Sequence, residues 1–168
     1  MKDNVTVARS WRGAVFGGLI AALTLALDQT SKMWVLHGLQ LPLRGHVPVM
    51  PTIDFVMVWN RGISYGLFQQ DTPFGRAVLL LVTLAASAFL IRWILREDNR
   101  LSLFALGLVL GGAIGNGIDR LAYGAVVDFV LFHIGGFQWY VFNIADAAIV
   151  VGVALLLYGA LRRGERSA

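Results

Sequence analysis

Four aspartates, Asp28, Asp119, Asp128 and Asp146, stand at or near the ends of long apolar runs, where a carboxylate is costly to keep. Asp28 has Lys32 four residues on, so the two can pair on one helix face, and Asp119 has Arg120 beside it as a structural ion-pair partner. Asp128 and Asp146 have no basic residue close by, and a mostly apolar stretch separates them. Two carboxylates brought together at low dielectric cannot both ionise. They share one proton, one acting as base and the other as acid. That arrangement activates a water against a peptide carbonyl. Spacing alone does not bring the two together, and Asp146 also suits a plainer role as a helix cap before "AAIVVGVALLLYGAL".

Other arrangements carry less. "GISYG" at 62–66 matches the G-x-S-x-G pattern of a serine-hydrolase elbow, which demands a strand–turn–helix context and a His/acid pair. Ser31 and Lys32 are adjacent, and adjacent residues on a helix point in different directions. No H-E-x-x-H or similar cluster is present, and the absence of cysteine removes disulfides, thiol catalysis and Cys-rich zinc sites. No metal and no organic cofactor is expected.

The elements that would carry the aspartates are apolar helices. Of 168 residues, 57% are hydrophobic and 14% charged, a composition that points to a membrane rather than to water. Four runs stand out, Gly13–Leu27, Ala77–Ile91, Leu101–Ile118 and Ala147–Leu161. With weakly polar flanks they give spans at about 13–33, 74–95, 101–118 and 146–161 of a single integral membrane domain, 1–168. Gly107, Gly111 and Gly115 form a small-xxx-small stripe of the kind used for close helix packing. The N-terminus has the look of a secretory signal, but three more spans follow it and it reads as a retained anchor.

Nine of the fourteen Lys/Arg, among them Arg12, Arg92, Arg96, Arg100, Arg162 and Arg163, flank the same side of these spans. The positive-inside rule makes that side cytoplasmic, with both termini inside. The basic pI is then accounted for by topology, and no nucleic acid is implied. The extracytoplasmic segments are about 34–73 and 119–145. The first holds all four prolines and "TIDFVMVWN", which reads as a strand entering a turn. The second holds "DFVLFHIGGFQWYVFN", a hairpin or re-entrant segment with Trp139 and Tyr140 at the headgroup level.

Five stretches, "DQTSK" at 28–32, "NRGISYG" at 60–66, "GGAIGNGIDR" at 111–120, "VVDF" at 126–129 and "FNIAD" at 142–146, together resemble the lipoprotein signal peptidase (signal peptidase II) family of bacterial aspartyl peptidases. The resemblance covers nearly the whole chain. It implies an all-α polytopic membrane protein of four transmembrane helices, with a small extracytoplasmic β-sheet cradle and a short amphipathic periplasmic helix. Asp128 and Asp146 fall on the catalytic positions. Asn60, Gly62, Asn116, Arg120 and Asn143 fall on positions that bind substrate or order the site, and Asp28, Lys32 and Asp119 on supporting ones. The sequence departs from the family's common pattern at Tyr140-Val141 and at Gly117. The implied activity is removal of the signal peptide from diacylglyceryl-modified prolipoproteins, cut just before the lipidated cysteine. The implied setting is the bacterial inner membrane, with membrane lipids as partners, a site near the periplasmic face and a monomeric enzyme. Outside this family, a small transporter or proton channel using the acids as a relay is the main alternative, but relays usually lie at the midplane on broken helices.

Overall fold

The computed structural model describes residues 2–62 and 73–165; within these, the side chains of 2–10, 73, 164 and 165 are left out of account. Ser64, and with it most of "GISYG", lies outside the described residues. Four long helices dominate: α1, Lys2–Met33; α3, Pro73–Ile94; α4, Arg100–Tyr123; and α5, Ile144–Glu165. All four are long and apolar enough to cross a membrane.

α4 is the centre of the bundle. In its most apolar window 61% of the residues are buried, against 22% or fewer in the other three helices, which surround it. Its ends are well marked. Asn99 caps the first turn, its side-chain oxygen accepting from the Leu101 and Ser102 N–H groups. Gly124, at φ +72°, ends the helix in the left-handed conformation that glycine adopts without strain. α4 therefore runs five residues beyond the expected span end at 118, because Asp119 and Arg120 interrupt the apolar run without interrupting the helix.

The glycine stripe brings α1 and α4 into backbone contact. A Cβ on Gly107 would lie 2.7 Å from the Gly17 carbonyl oxygen, and one on Gly111 would lie 2.5 Å from that of Ala21. Gly112, one residue off the stripe, opens the same kind of approach to the Ala145 carbonyl of α5. Backbone cannot retreat as a side chain can. Gly111→Ala is therefore expected to lower stability by about 1–3 kcal/mol. Chemical denaturation in mixed micelles measures this, and an unchanged midpoint would show that the helices part freely.

α1 continues as a wide π-turn, Trp34–Gly38, so the segment expected to leave the helix at 34 begins helical. Gln40, with φ 53°, and the short helix α2, Leu41–Arg44, reverse the chain into a sheet. Its strands are β1, His46–Met50; β2, Ile53–Asn60; β3, Val126–Ile134; and β4, Phe137–Gln138, antiparallel throughout in the order β1-β2-β3-β4. The strand read from "TIDFVMVWN" is β2, and the Gly135-Gly136 break is the turn of the β3–β4 hairpin, Gly135 at φ +56°. Pro48 sits in the edge strand β1, where its missing N–H is tolerated. One face of the sheet covers Val35, Leu36 and Leu41 with Val127 and Phe129. Outside the long helices, α2 and the π-turn are the helical turns among the described residues, and neither is assigned as the amphipathic helix that the resemblance implies.

Candidate active site

Strand alternation decides which way Asp128 points. Val127 and Phe129 face the buried cluster under the sheet, so Asp128 shares the opposite face with Val126. Val126 lines a cleft of about 310 Å³. Asn60, Gly62, Asn116, Arg120 and Asp146 supply its polar wall, and Thr83, Ala113, Tyr140, Ile149 and Val150 complete it. Asp128 itself is 1% exposed, set just behind this wall.

Asp146 arrives from the first turn of α5. Asn143 is the cap of that helix: its Oδ1 accepts from the Asp146 N–H at 2.9 Å, and Asp146 Oδ2 accepts from the Asn143 N–H at 3.3 Å. This reciprocal pair is a capping box. The plain reading of Asp146 as a cap residue and its candidacy for chemistry are thus both compatible with its position.

Three amides tie the two carboxylates together, and each has its orientation fixed by a partner that can only donate. The Gly62 N–H donates to Asn60 Oδ1, so the Asn60 NH2 turns to Asp128 Oδ2 at 2.9 Å. The Asp146 N–H donates to Asn143 Oδ1, so the Asn143 NH2 reaches Asp128 Oδ1 at 2.7 Å and Asn116 Oδ1 at 3.1 Å. Lys32 Nζ donates to Asn116 Oδ1 at 3.0 Å, which turns the Asn116 NH2 to Asp146 Oδ1 at 2.8 Å. Asn143 touches both aspartates.

Burial above all, and then the charge of Asp146, pushes Asp128 up to about 7, partly offset by hydrogen bonds from Asn60 and Asn143. Asp128 therefore holds its proton up to about pH 7, well above the range of an ordinary carboxyl. Its contribution to stability is complete below the ordinary carboxylate range and is lost as pH rises through about 7.

Behind the amides lies a buried ionic cluster. Lys32, 2% exposed, meets Asp28 at 2.8 Å and Asp119 at 2.7 Å, both essentially inaccessible. The i, i+4 pair expected from the sequence is present. Asp119, however, pairs with Lys32 and not with its neighbour Arg120, whose Nη1 and Nη2 donate to the Asn116 and Gly62 carbonyls. Consecutive helix residues diverge by about 100°, so Asp119 turns to α1 while Arg120 turns to the cleft. The carboxylates also hold backbone: Asp28 accepts from the Ala145 N–H and Asp119 from the Val127 N–H. The chain neighbours of both candidate aspartates are thereby fixed to the bundle.

The sequence reading omitted Gln29, whose Nε2 donates to both Asp28 and Asp119, and Thr83, a cleft residue on α3. An uncharged polar residue inside an apolar span was the available signal for Thr83. A second titratable group lies on the sheet, where His46 and His133 approach Asp54 at 2.8 and 3.2 Å. The His46 hydrogen bond holds Asp54 below the usual carboxylate value. Among the described residues no cluster of three or more His, Cys, Asp or Glu is arranged to hold a metal ion.

Four apolar helices and a small antiparallel sheet, joined through amides that bond Asp146 at a polar cleft and Asp128 behind it, define a polytopic membrane protein. A family profile described as Signal peptidase (SPase) II matches residues 20–162. The chain is 55% identical to a lipoprotein signal peptidase of Methylorubrum extorquens (strain PA1) over 89% of this chain and 88% of the relative. It is 52% identical to one from Methylocella silvestris, over 88% and 86% respectively. Among solved structures, a bacterial membrane enzyme determined by the in meso method at 2.3 Å resolution superposes with a TM-score of 0.79 at 26% identity, covering 90% of this chain and 91% of that one. The chain belongs to the signal peptidase II family.

Proposed function

We propose that this member of the signal peptidase II family removes the signal peptide from diacylglyceryl-modified prolipoproteins by aspartyl catalysis, with Asp128 and Asp146 as the catalytic pair. The observation that supports this most directly is Asn143, which hydrogen-bonds both carboxylates at the edge of a cleft. One aspartate takes a proton from the attacking water. The other, holding the shared proton, polarises the scissile carbonyl and later helps protonate the leaving amine. Asn60, Asn116 and Asn143 keep the pair in register, and Gly62 and Arg120 form the wall against which substrate lies. Asp28, Lys32 and Asp119 support them.

Membrane partition of the lipid and of the apolar signal helix supplies much of the positioning. The reading includes a single membrane domain, both termini on the cytoplasmic side, a cleft near the periplasmic face bordered by an amphipathic helix, and a monomer that needs neither cofactor nor nucleic acid. Purified protein should cleave a diacylglyceryl-modified precursor just before its lipidated cysteine and leave the unlipidated precursor intact. Equal cleavage of both would sink the substrate assignment.

A pH dependence follows from Asp128. Below about 7 it keeps its proton; above, it is charged and the proton it supplies to the pair is gone. The expected kcat/KM falls with a one-proton slope above about pH 7, and a flat profile from about pH 6 to about pH 9 would contradict the shared-proton mechanism.

A further inference from the structure

At the opposite end of α5 from Asp146 lies a second, smaller pocket, of about 160 Å³, between the start of α4 and the end of α5. Its lining is Asn99, Leu101, Tyr158, Gly159, Arg162 and Arg163. We propose that this pocket holds the phosphate headgroup of an anionic phospholipid.

Two cations are set into it. The Arg162 guanidinium lies over the Tyr158 ring, 5.5 Å from its centroid, a cation–π contact that holds the fork in place. Arg163 Nη1 donates to Ser102 Oγ at 3.4 Å, which ties the second guanidinium to α4. Guanidinium is the group best shaped to take phosphate oxygens in pairs. The amides of the first turn of α4 do not make the site, because Asn99 Oδ1 already accepts from those of Leu101 and Ser102. Nor does Glu97 fill it: its oxygens accept from Trp93 Nε1 and from the Asp98 and Asn99 N–H groups. Gly159 leaves the floor open. A Cβ there would reach Leu101 Cδ2 at 3.9 Å and Arg163 Nη2 at 4.0 Å, so a longer side chain would enter the pocket.

Position favours a lipid over a free anion. Arg162 stands about 24 Å of helix rise from Asp146, which puts the pocket at the other edge of the hydrocarbon layer from the paired aspartates. Leu101 and Tyr158, both in the pocket lining, are exposed and give the pocket an apolar wall. A headgroup seated between the arginines has this apolar wall beside it for the start of its acyl chains. Basic pockets between helices at a membrane surface have this ligand chemistry.

The test is native mass spectrometry of the detergent-solubilised full chain titrated with phosphatidylglycerol and, separately, phosphatidylcholine, with inorganic phosphate as competitor. One phosphatidylglycerol should be retained in preference to phosphatidylcholine and should resist millimolar phosphate. Arg162→Gln with Arg163→Gln should weaken its retention by about 30-fold. Gly159→Leu, which keeps both charges but occupies the pocket, should also abolish the preference, and precursor cleavage should be unchanged in either variant. Retention equal for the two lipids, or preserved in Gly159→Leu, would overturn the proposal. Displacement by inorganic phosphate would also overturn it, leaving a simple anion site.

Discussion

Asp128→Asn and Asp146→Asn are each expected to lower kcat/KM for lipidated precursor by at least about 10³-fold while leaving the protein folded in the membrane. Each replacement keeps the size of the side chain and removes its ability to exchange a proton. The fold has some tolerance for it. Asp128 accepts from Asn60 and Asn143, and Asp146 from Asn116 and the Asn143 N–H, so an introduced amide must lose one of two hydrogen bonds. That mismatch costs about 1–3 kcal/mol of stability, which thermal unfolding in detergent separates from the loss of rate. Because the two carboxylates act as a unit, the double variant should be no slower than either single one. Activity within tenfold of the parent in either single variant would eliminate the pair, and multiplicative losses in the double variant would mean that the two act independently.

The second large effect is expected at Lys32. Lys32→Met keeps the apolar stem and removes the ammonium between Asp28 and Asp119, leaving two buried carboxylates without their cation. Breaking a buried pair from one side costs about 3–5 kcal/mol, because the remaining charge is neither solvated nor compensated. Here the loss spreads. Asp119 holds the start of β3 through Val127, Asp28 holds the start of α5 through Ala145, and Lys32 itself orients Asn116. Denaturation in mixed micelles should show the full loss, and residual activity should fall as Asn116 is released. A change below about 1 kcal/mol would mean that the cluster contributes little to holding the site.

How far the sequence could reach is clear from where it stopped. The four helices were legible because apolar composition over about 20 residues has few other physical outcomes. β2 was legible because Val, Ile, Phe and Trp crowd between a proline-rich segment and Asn60. The polar residues of the site were placed by the motif resemblance, since no periodicity links positions as distant as Asn60 and Asn143. The Lys32–Asp119 pair was missed because sequence adjacency favoured Arg120, whereas helix geometry turns the two side chains apart. The meeting of Asp128 with the start of α5 depends on the return of the chain beside β3, where Phe142 and Val130 exchange backbone hydrogen bonds. A contact of that kind is created by tertiary folding and leaves no local trace.

The capping box at the start of α5 has a consequence for descent. The Asn143 acceptor and the Asp146 backbone donor survive any change of side chain at 146 except to proline, and an asparagine there can still offer its oxygen to the Asn143 N–H. A lineage that lost the carboxylate would keep the start of its helix, its bundle and its resemblance to active relatives. Within such a lineage, inheritance of the scaffold and inheritance of the activity could separate at a single codon.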